Sequence, residues 1–250
     1  MTLDDGMDEL VERVAAANPN TVLVLNNAEP VMMPWLNDVP AVLQMMYAGQ
    51  EGGWATADLL FGRHNPQGRL PVTYPTAVNK TVTRDPSYPG RVATADGNAT
   101  FSEGVNTGYK WYKQTGTPVL FPFGYGLSYT SFNYSNLQLH GSDGCAFSVS
   151  FSISNVGQID GAEVPQVYVG PPADANQTYP GVQFAAIALV GFDSVNVAAG
   201  KSAHLEIPVM ERQLSFYNVS SGSFELAKGK REIWIGKSVE NIVLAGSIEL

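Results

Sequence analysis

Apolar residues follow three successive rhythms along the 250-residue chain. In the first 75 residues, Leu10, Val11, Val14 and Ala17 lie on one stripe of a 3.6-residue period, and Asn18-Pro19-Asn20 interrupts it, which predicts a helix and its end. Thr21 to Leu25 is an unbroken apolar run, the pattern of a parallel strand buried on both faces. A polar loop from Asn26 to Pro30 and a short helical segment through Trp35 come next. A second buried strand is predicted from Ala41 to Met46, followed by the Gly-rich Ala48-Gly-Gln-Glu-Gly-Gly53 and a helix from Gly53 to Phe61 that Gly62 ends. Strand, helix, strand, helix is the order of a parallel sheet. Some 75 residues hold too few strands to close such a layer, so residues 1–75 read as half of a larger α/β unit.

Between 76 and 130 no period persists. Pro75, Pro86, Pro89, Gly90, Gly97 and Gly104 punctuate the segment, yet it carries Tyr88, Phe101, Tyr109, Trp111, Tyr112, Phe121, Phe123, Tyr125 and Tyr129. A solvated linker has no use for so many aromatics, so 76–130 is expected to be an extended connector packed on the α/β unit. From about 131 the period becomes two. Phe147, Val149, Phe151 and Ile153 alternate with serines, and Val164, Val167 and Val169 follow. Ala203, Leu205, Ile207 and Val209 come next, and finally Ile233 and Ile235 beside Trp234. Turn signals at Asn155-Val-Gly157, Gly170-Pro-Pro172, Ala199-Gly200 and Lys228-Gly229 separate them. Residues 131–250 therefore predict an antiparallel β-sandwich close to the size of immunoglobulin-like domains. The fold class expected is a partial α/β parallel-sheet domain followed by an all-β sandwich.

Composition narrows what the chain could bind. Acidic residues number 23 against 14 basic ones, a net charge of −9, whereas nucleic-acid binding needs clustered Lys and Arg. No apolar run reaches the ~20 residues of a membrane span. Neither nucleic acid nor membrane is expected as a partner, and nothing in the sequence speaks to oligomeric state. The single cysteine, Cys145, leaves no intrachain disulfide. It leans toward a reducing compartment, but five N-glycosylation sequons weigh against that: Asn79-Lys-Thr, Asn98-Ala-Thr, Asn133-Tyr-Ser, Asn176-Gln-Thr and Asn218-Val-Ser. No signal peptide follows Met1, which opens on a polar stretch.

The candidate chemical residues are few. Glu51 sits between a strand and a helix, where α/β folds place ligands, and can be read as a general acid or as a cap on backbone amides. Glu103 can be read as an acid or as a partner in a structural ion pair or hydrogen bond. Glu29 and Asp38 are loop carboxylates with no named partner. His64, His140 and His204 lack metal-ligand spacing, and no cofactor motif is present. Ser128 lies outside any Gly-x-Ser-x-Gly frame. Trp35, Trp54, Trp111 and Trp234 could stack on sugar rings; buried packing is the expectation for each.

Several motifs share one resemblance. Asn18-Pro-Asn-Thr-Val-Leu-Val-Leu25, Pro30 to Trp35 (PVMMPW), Ala48 to Asp58 (AGQEGGWATAD) and Gly62 to Pro75 (GRHNPQGRLPVTYP) resemble the second half of the α/β domain of family 3 glycoside hydrolases. Ser102-Glu-Gly104, Gly108-Tyr-Lys-Trp-Tyr112 and Leu120 to Tyr129 (LFPFGYGLSY) look like that family's connector. Gly161 to Gly170 (GAEVPQVYVG), Leu189-Val-Gly-Phe192 and Leu214-Ser-Phe-Tyr217 are similar to its fibronectin type III-like module. Two departures stand out: Asn27-Ala28-Glu29-Pro30 where a small residue and glycine usually precede the proline, and Lys110 where arginine is commoner. A lysine does not reproduce a forked guanidinium contact.

The resemblance implies a secreted, retaining, exo-acting enzyme that removes β-linked glucose or a related sugar from an oligosaccharide or β-glucoside. Retention needs two carboxyl groups ~5–5.5 Å apart across the glycosidic bond. It also implies that neither is here: the nucleophilic Asp belongs to an N-terminal barrel, and the acid/base Glu to a loop upstream of Asn18-Pro19. On that reading Glu51 is a cap, Glu103 is structural and no residue of this chain is catalytic. The alternative is a non-catalytic module that binds glycans or braces a partner.

Overall fold

A computed structural model describes residues 1–3, 6–141 and 144–250. Helix α1 (Met7–Ala17) leads into β1 (Val22–Leu25), which pairs in parallel with β2 (Ala41–Gln44), Val22 opposite Ala41 and Leu25 opposite Gln44. Helix α2 (Gly52–Leu60) follows. Strand β3 (Tyr74–Pro75) pairs antiparallel with β4 (Val119–Phe121), across the connector and its helix α3 (Tyr109–Thr115).

The core of this part is one-sided. Val11, Ala15, Leu25, Val31, Met33, Trp35, Val39 and Tyr74 are buried together, and the Trp35 indole donates to Asp8 at 2.7 Å. Three expectations change here. Helix α1 buries Val11 and Ala15, whereas Leu10 and Val14 of the predicted stripe are exposed. Strand β1 is not covered on both sides, because Val22 is 46% exposed. Helix α2 buries no residue, and Trp54 is 70% exposed, against the burial expected for it.

The sandwich answers its alternation directly. Strands β5 (Phe132–His140), β6 (Phe147–Asn155) and β11 (Ser202–Val209) form one sheet in the order β11-β6-β5. The facing sheet has the order β15-β14-β8-β9, from β8 (Gln166–Pro172), β9 (Ala188–Phe192), β14 (Lys230–Gly236) and β15 (Ile242–Glu249). Short strands β7 (Gly161–Glu163) and β10 (Val195–Val197) pair at one end, and β12 (Ser215–Asn218) with β13 (Ser223–Leu226) form a hairpin. Phe147, Val149, Phe151, Ile153, Val167, Ile233 and Ile235 are fully buried between the sheets.

The connector joins the two cores. Tyr109 stacks on Phe123 with ring centroids 4.5 Å apart and meets Tyr168 edge-on. Its hydroxyl accepts the Leu189 N–H at 2.8 Å. Trp111 is buried and donates to Asp85. Gly124 turns at φ +81°, where a side chain would also collide with Gln166. Gln166 instead donates to the Gly124 carbonyl at 3.0 Å.

Candidate functional site

In open parallel sheets, ligands bind off the carboxyl ends of the strands. Here that position is built from the loops after β1 and β2. The Gln44 amide donates to the Asn27 carbonyl and side-chain oxygens at 3.3 and 3.1 Å, and Asn27 donates to the Glu29 carbonyl at 2.5 Å. Met46 is held at φ +51°, a conformation unusual for a residue with a side chain, and its sulfur lies 3.4 Å from the Gln44 nitrogen. The Gln44 side-chain oxygen is buried with no partner among the described residues. Glu51 is exposed at the start of α2 and makes no capping bond, which corrects the cap expected of it. Glu29 and Asp38 are exposed as well. The crevice therefore presents amides and a thioether. Among the described residues it offers no opposed pair of acids.

The buried carboxylates lie elsewhere, each beside an arginine. Glu103 is 1% exposed and accepts from Arg91 Nε at 2.6 Å, the ion pair of the two structural roles, ion pair or hydrogen bond, expected for it. Gln183 holds the same turn by donating to the Glu103 carbonyl and accepting the Val105 N–H. Glu163 accepts from Arg69 at 2.7 Å, joining the end of the α/β part to β7 of the sandwich. Nearby, Asn65 donates to the Asp160 carbonyl and accepts from Ser128 and the Tyr129 N–H. Ser128 is thus a structural donor. Burial, reinforced by the Glu163 charge, pushes the Tyr134 phenol well above its usual range.

Two clefts flank the connector. One, of about 460 Å³, is lined by residues including Pro71, Thr73, Val82, Tyr109, Lys110, Tyr112 and Phe123, and contains no carboxylate. The other, of about 420 Å³ beside Tyr112 and Pro118, has only Glu240, 3.3 Å from Lys113. The histidines stay apart. His64 is exposed 3.8 Å from Asp58, His140 shares a hydrogen bond with Ser150, and His204 is exposed on β11. Among the described residues no three His, Cys, Asp or Glu gather as metal ligands, and no helix is long and apolar enough to cross a membrane.

Sequence reasoning missed Arg69, Glu163, Gln166 and Arg231. Arg231 is buried in the sandwich and donates to the carbonyls of Gly170, Leu214 and Ala227, at 2.8, 3.4 and 2.8 Å. Burial lowers its pKa to about 10. Nothing local marks such residues. Most of their partners lie far along the chain.

The Glycosyl hydrolase family 3 C-terminal domain matches residues 1–129, over half of the chain. The chain belongs to glycoside hydrolase family 3. A Fibronectin type III-like domain matches residues 163–239 of this family 3 chain. A β-glucosidase of Rhizobium radiobacter is 39% identical over 255 residues, covering 100% of this chain and 30% of the relative. β-Glucosidase B of Emericella nidulans is 40% identical over 251 residues, covering 97% and 29%. Among solved structures, DesR, a β-glucosidase from Streptomyces venezuelae in complex with D-glucose, superposes with a TM-score of 0.93 at 36% identity, over 100% of this chain and 31% of that one. The chain spans about 30% of the length of these relatives.

Proposed function

We propose that this chain is the non-catalytic C-terminal part of a retaining β-glucosidase, the scaffold on which an upstream catalytic part rests. The assembled enzyme removes β-linked glucose or a related sugar from oligosaccharides, in polysaccharide breakdown. The observation that carries the reading is the placement of the buried carboxylates. Retention needs two acids facing one another across a sugar, whereas Glu103 and Glu163 are each beside an arginine and the β1/β2 crevice presents amides. The β-glucosidases that match over this whole chain support the substrate class.

The test is turnover of an aryl β-glucoside. The purified 250-residue chain alone is expected to show none, and the chain joined to the upstream part of a related β-glucosidase is expected to show it. Turnover by the chain alone would overturn the reading.

A glycan-binding role for the chain itself is the second reading, favoured by the exposure of Trp54 and Phe61 (70% and 82%), seven residues apart near the same face of α2. Quenching of tryptophan fluorescence by oligosaccharides, lost in Trp54→Ala, would support it.

We also infer the division into 1–75, 76–130 and 131–250, and secretion of the full protein. The sequons support secretion: Asn79, Asn98, Asn133 and Asn176 are exposed, while Asn218 is half-buried and donates to Glu225 at 2.9 Å. Peptide mapping of the natural protein should find glycans on some of the four exposed sites. A natural product confined to the cytosol without glycans would remove this part of the proposal.

A further inference from the structure

The β12/β13 hairpin projects from the sandwich, and of its strand residues Leu226 packs against the sandwich core. Leu226 is opposite Ser215 in the ladder, and Tyr217 is opposite Phe224. Paired residues share a face and alternate residues return to it. Tyr217 and Phe224 therefore continue the Leu226 face outward, past the end of the core. They are 53% and 50% exposed, with ring centroids 5.1 Å apart and planes at 66°. Single apolar residues in water are ordinary, whereas a cluster of large ones marks a contact. These two rings form an open corner.

Arg212 completes the corner. Its guanidinium carbon lies 3.1 Å from the centroid of the Phe224 ring. The side chain is exposed and joins no ion pair among the described residues, so its fork of N–H donors faces outward unspent. The hairpin is rigid behind this face. The Gly222 N–H donates to the Asn218 carbonyl at 2.9 Å, and the Asn218 and Ser221 side chains donate to Glu225 at 2.9 and 2.5 Å. Asn218 and Glu225 alternate with Tyr217 and Phe224 and belong to the opposite face. Their network fixes the strands without occupying the rings, which lowers the ordering cost of binding there.

We infer that the corner of Tyr217, Phe224 and Arg212 binds a chain of β-linked glucose units. A β-linked glucopyranose carries its hydroxyls around the rim and bare C–H groups on its two faces. An aromatic ring takes such a face, the second ring walls it, and guanidinium donors take the rim oxygens. Size and charge exclude larger partners. Two strands of four residues are about 13 Å long and ~5 Å apart, an area for a few sugar rings and far below the ~800 Å² that each partner of a stable protein complex buries. One cation on a chain of net charge −9 gives no hold on an anionic lipid surface. The site rests on the hairpin alone, while the choice of glucose rests on the substrate class proposed above. Its effect is to tether a polysaccharide and so raise the local concentration of its ends.

The experiment runs the full 250-residue chain through native gels containing soluble mixed-linkage β-glucan and titrates it with cellopentaose. The glucan should retard the chain. Tyr217→Ala and Phe224→Ala should each weaken binding at least about fivefold, and Arg212→Ala should weaken it with only partial rescue in Arg212→Lys. All of these positions are exposed, so melting temperatures should stay unchanged. If an alanine variant melts early, Tyr217→Trp decides. In a Trp54→Phe background it should keep the binding, and cellopentaose should change its fluorescence beyond the change in Trp54→Phe alone. No retardation, retardation indifferent to the hairpin variants and abolished by Trp54→Ala, or a hairpin that instead pairs two copies of the chain or binds phosphatidylcholine vesicles would overturn the inference. Its failure is separable from that of the function. Glucan binding by a chain whose fusion to an upstream catalytic part cleaves no aryl β-glucoside refutes the activity and keeps the site. A fusion that cleaves the glucoside while the glucan retards neither protein does the reverse.

Discussion

The Arg69–Glu163 pair shows what single residues contribute across the domain junction. Both side chains are buried and 2.7 Å apart. Removing one partner of a buried pair leaves an uncompensated charge and costs about 3–5 kcal/mol, whereas replacing both by apolar groups is often neutral. Arg69→Ala should therefore lower unfolding stability by about that much, and Arg69→Met with Glu163→Leu should recover most of it, as read by urea denaturation. The buried phenols fix the pH response. Burial raises the pKa of Tyr134 and Tyr168 far above the usual range, and raises Tyr74, Tyr109 and Tyr112 as well. A phenol kept neutral in the fold ionises first in the unfolded chain, so its contribution is whole below about pH 10 and is lost as pH rises further. Arg231 acts in the opposite direction. With its pKa lowered to about 10, below the usual guanidinium range, the unfolded chain binds the extra proton above about pH 10, and stability gains as pH rises from there toward that range. One arginine stands against five phenols. The net expectation is a stability that falls above about pH 10, and Tyr134→Phe should flatten the fall in a pH series of melting temperatures.

At the scale of elements, the sandwich was far more legible than the α/β half. Strand β6 places Phe147, Val149, Phe151 and Ile153 on one face, all fully buried, as strict alternation requires. Phe151→Ala should cost about 3–5 kcal/mol because the emptied site is walled by both sheets; a drop below about 1 kcal/mol in the denaturation midpoint analysis would mean the core collapses around it. Alternation does not tell how deep the polar face lies. Ser148 and Ser150 are buried too, and their hydroxyls reach Glu206 at 2.7 Å and His140 at 3.1 Å. Helix α1 was misread for a different reason. Leu10, Val11, Val14 and Ala15 spread apolar character over two adjoining sides, so periodicity located the helix but not the side facing the present core. Strands β1 and β2 were correctly placed as parallel, and their apolar run predicted two covered faces where one is seen. The crevice residues carried less signal still. Glu51 drew attention by its glycines, while the groups that organise the site, Gln44 and the left-handed Met46, look ordinary in sequence.

In the whole molecule, residues around Tyr109 and Phe123 pack the first matched region against the sandwich. Tyr109 stacks on Phe123, meets Tyr168 and accepts from the Leu189 backbone, in a cluster that includes Ile187 and Val239 of the sandwich. Hydrogen bonds from Gln166 to Gly124 and from Val239 to the Phe123 carbonyl fasten the same seam. Interfaces within a chain that are small and polar allow domains to unfold separately, whereas an apolar one couples them. The 250-residue chain should accordingly melt in a single calorimetric transition. Tyr109→Ala removes the half-buried ring at the centre of the seam, with a loss smaller than the ~3–5 kcal/mol of a fully buried aromatic, and should split the melt into two, the sandwich transition remaining the higher because its own core of two sheets is intact. If the variant still melts in one step, the coupling resides in the backbone hydrogen bonds and the Arg69–Glu163 pair. Combining Tyr109→Ala with Arg69→Met and Glu163→Leu would then separate the two parts where neither change alone does.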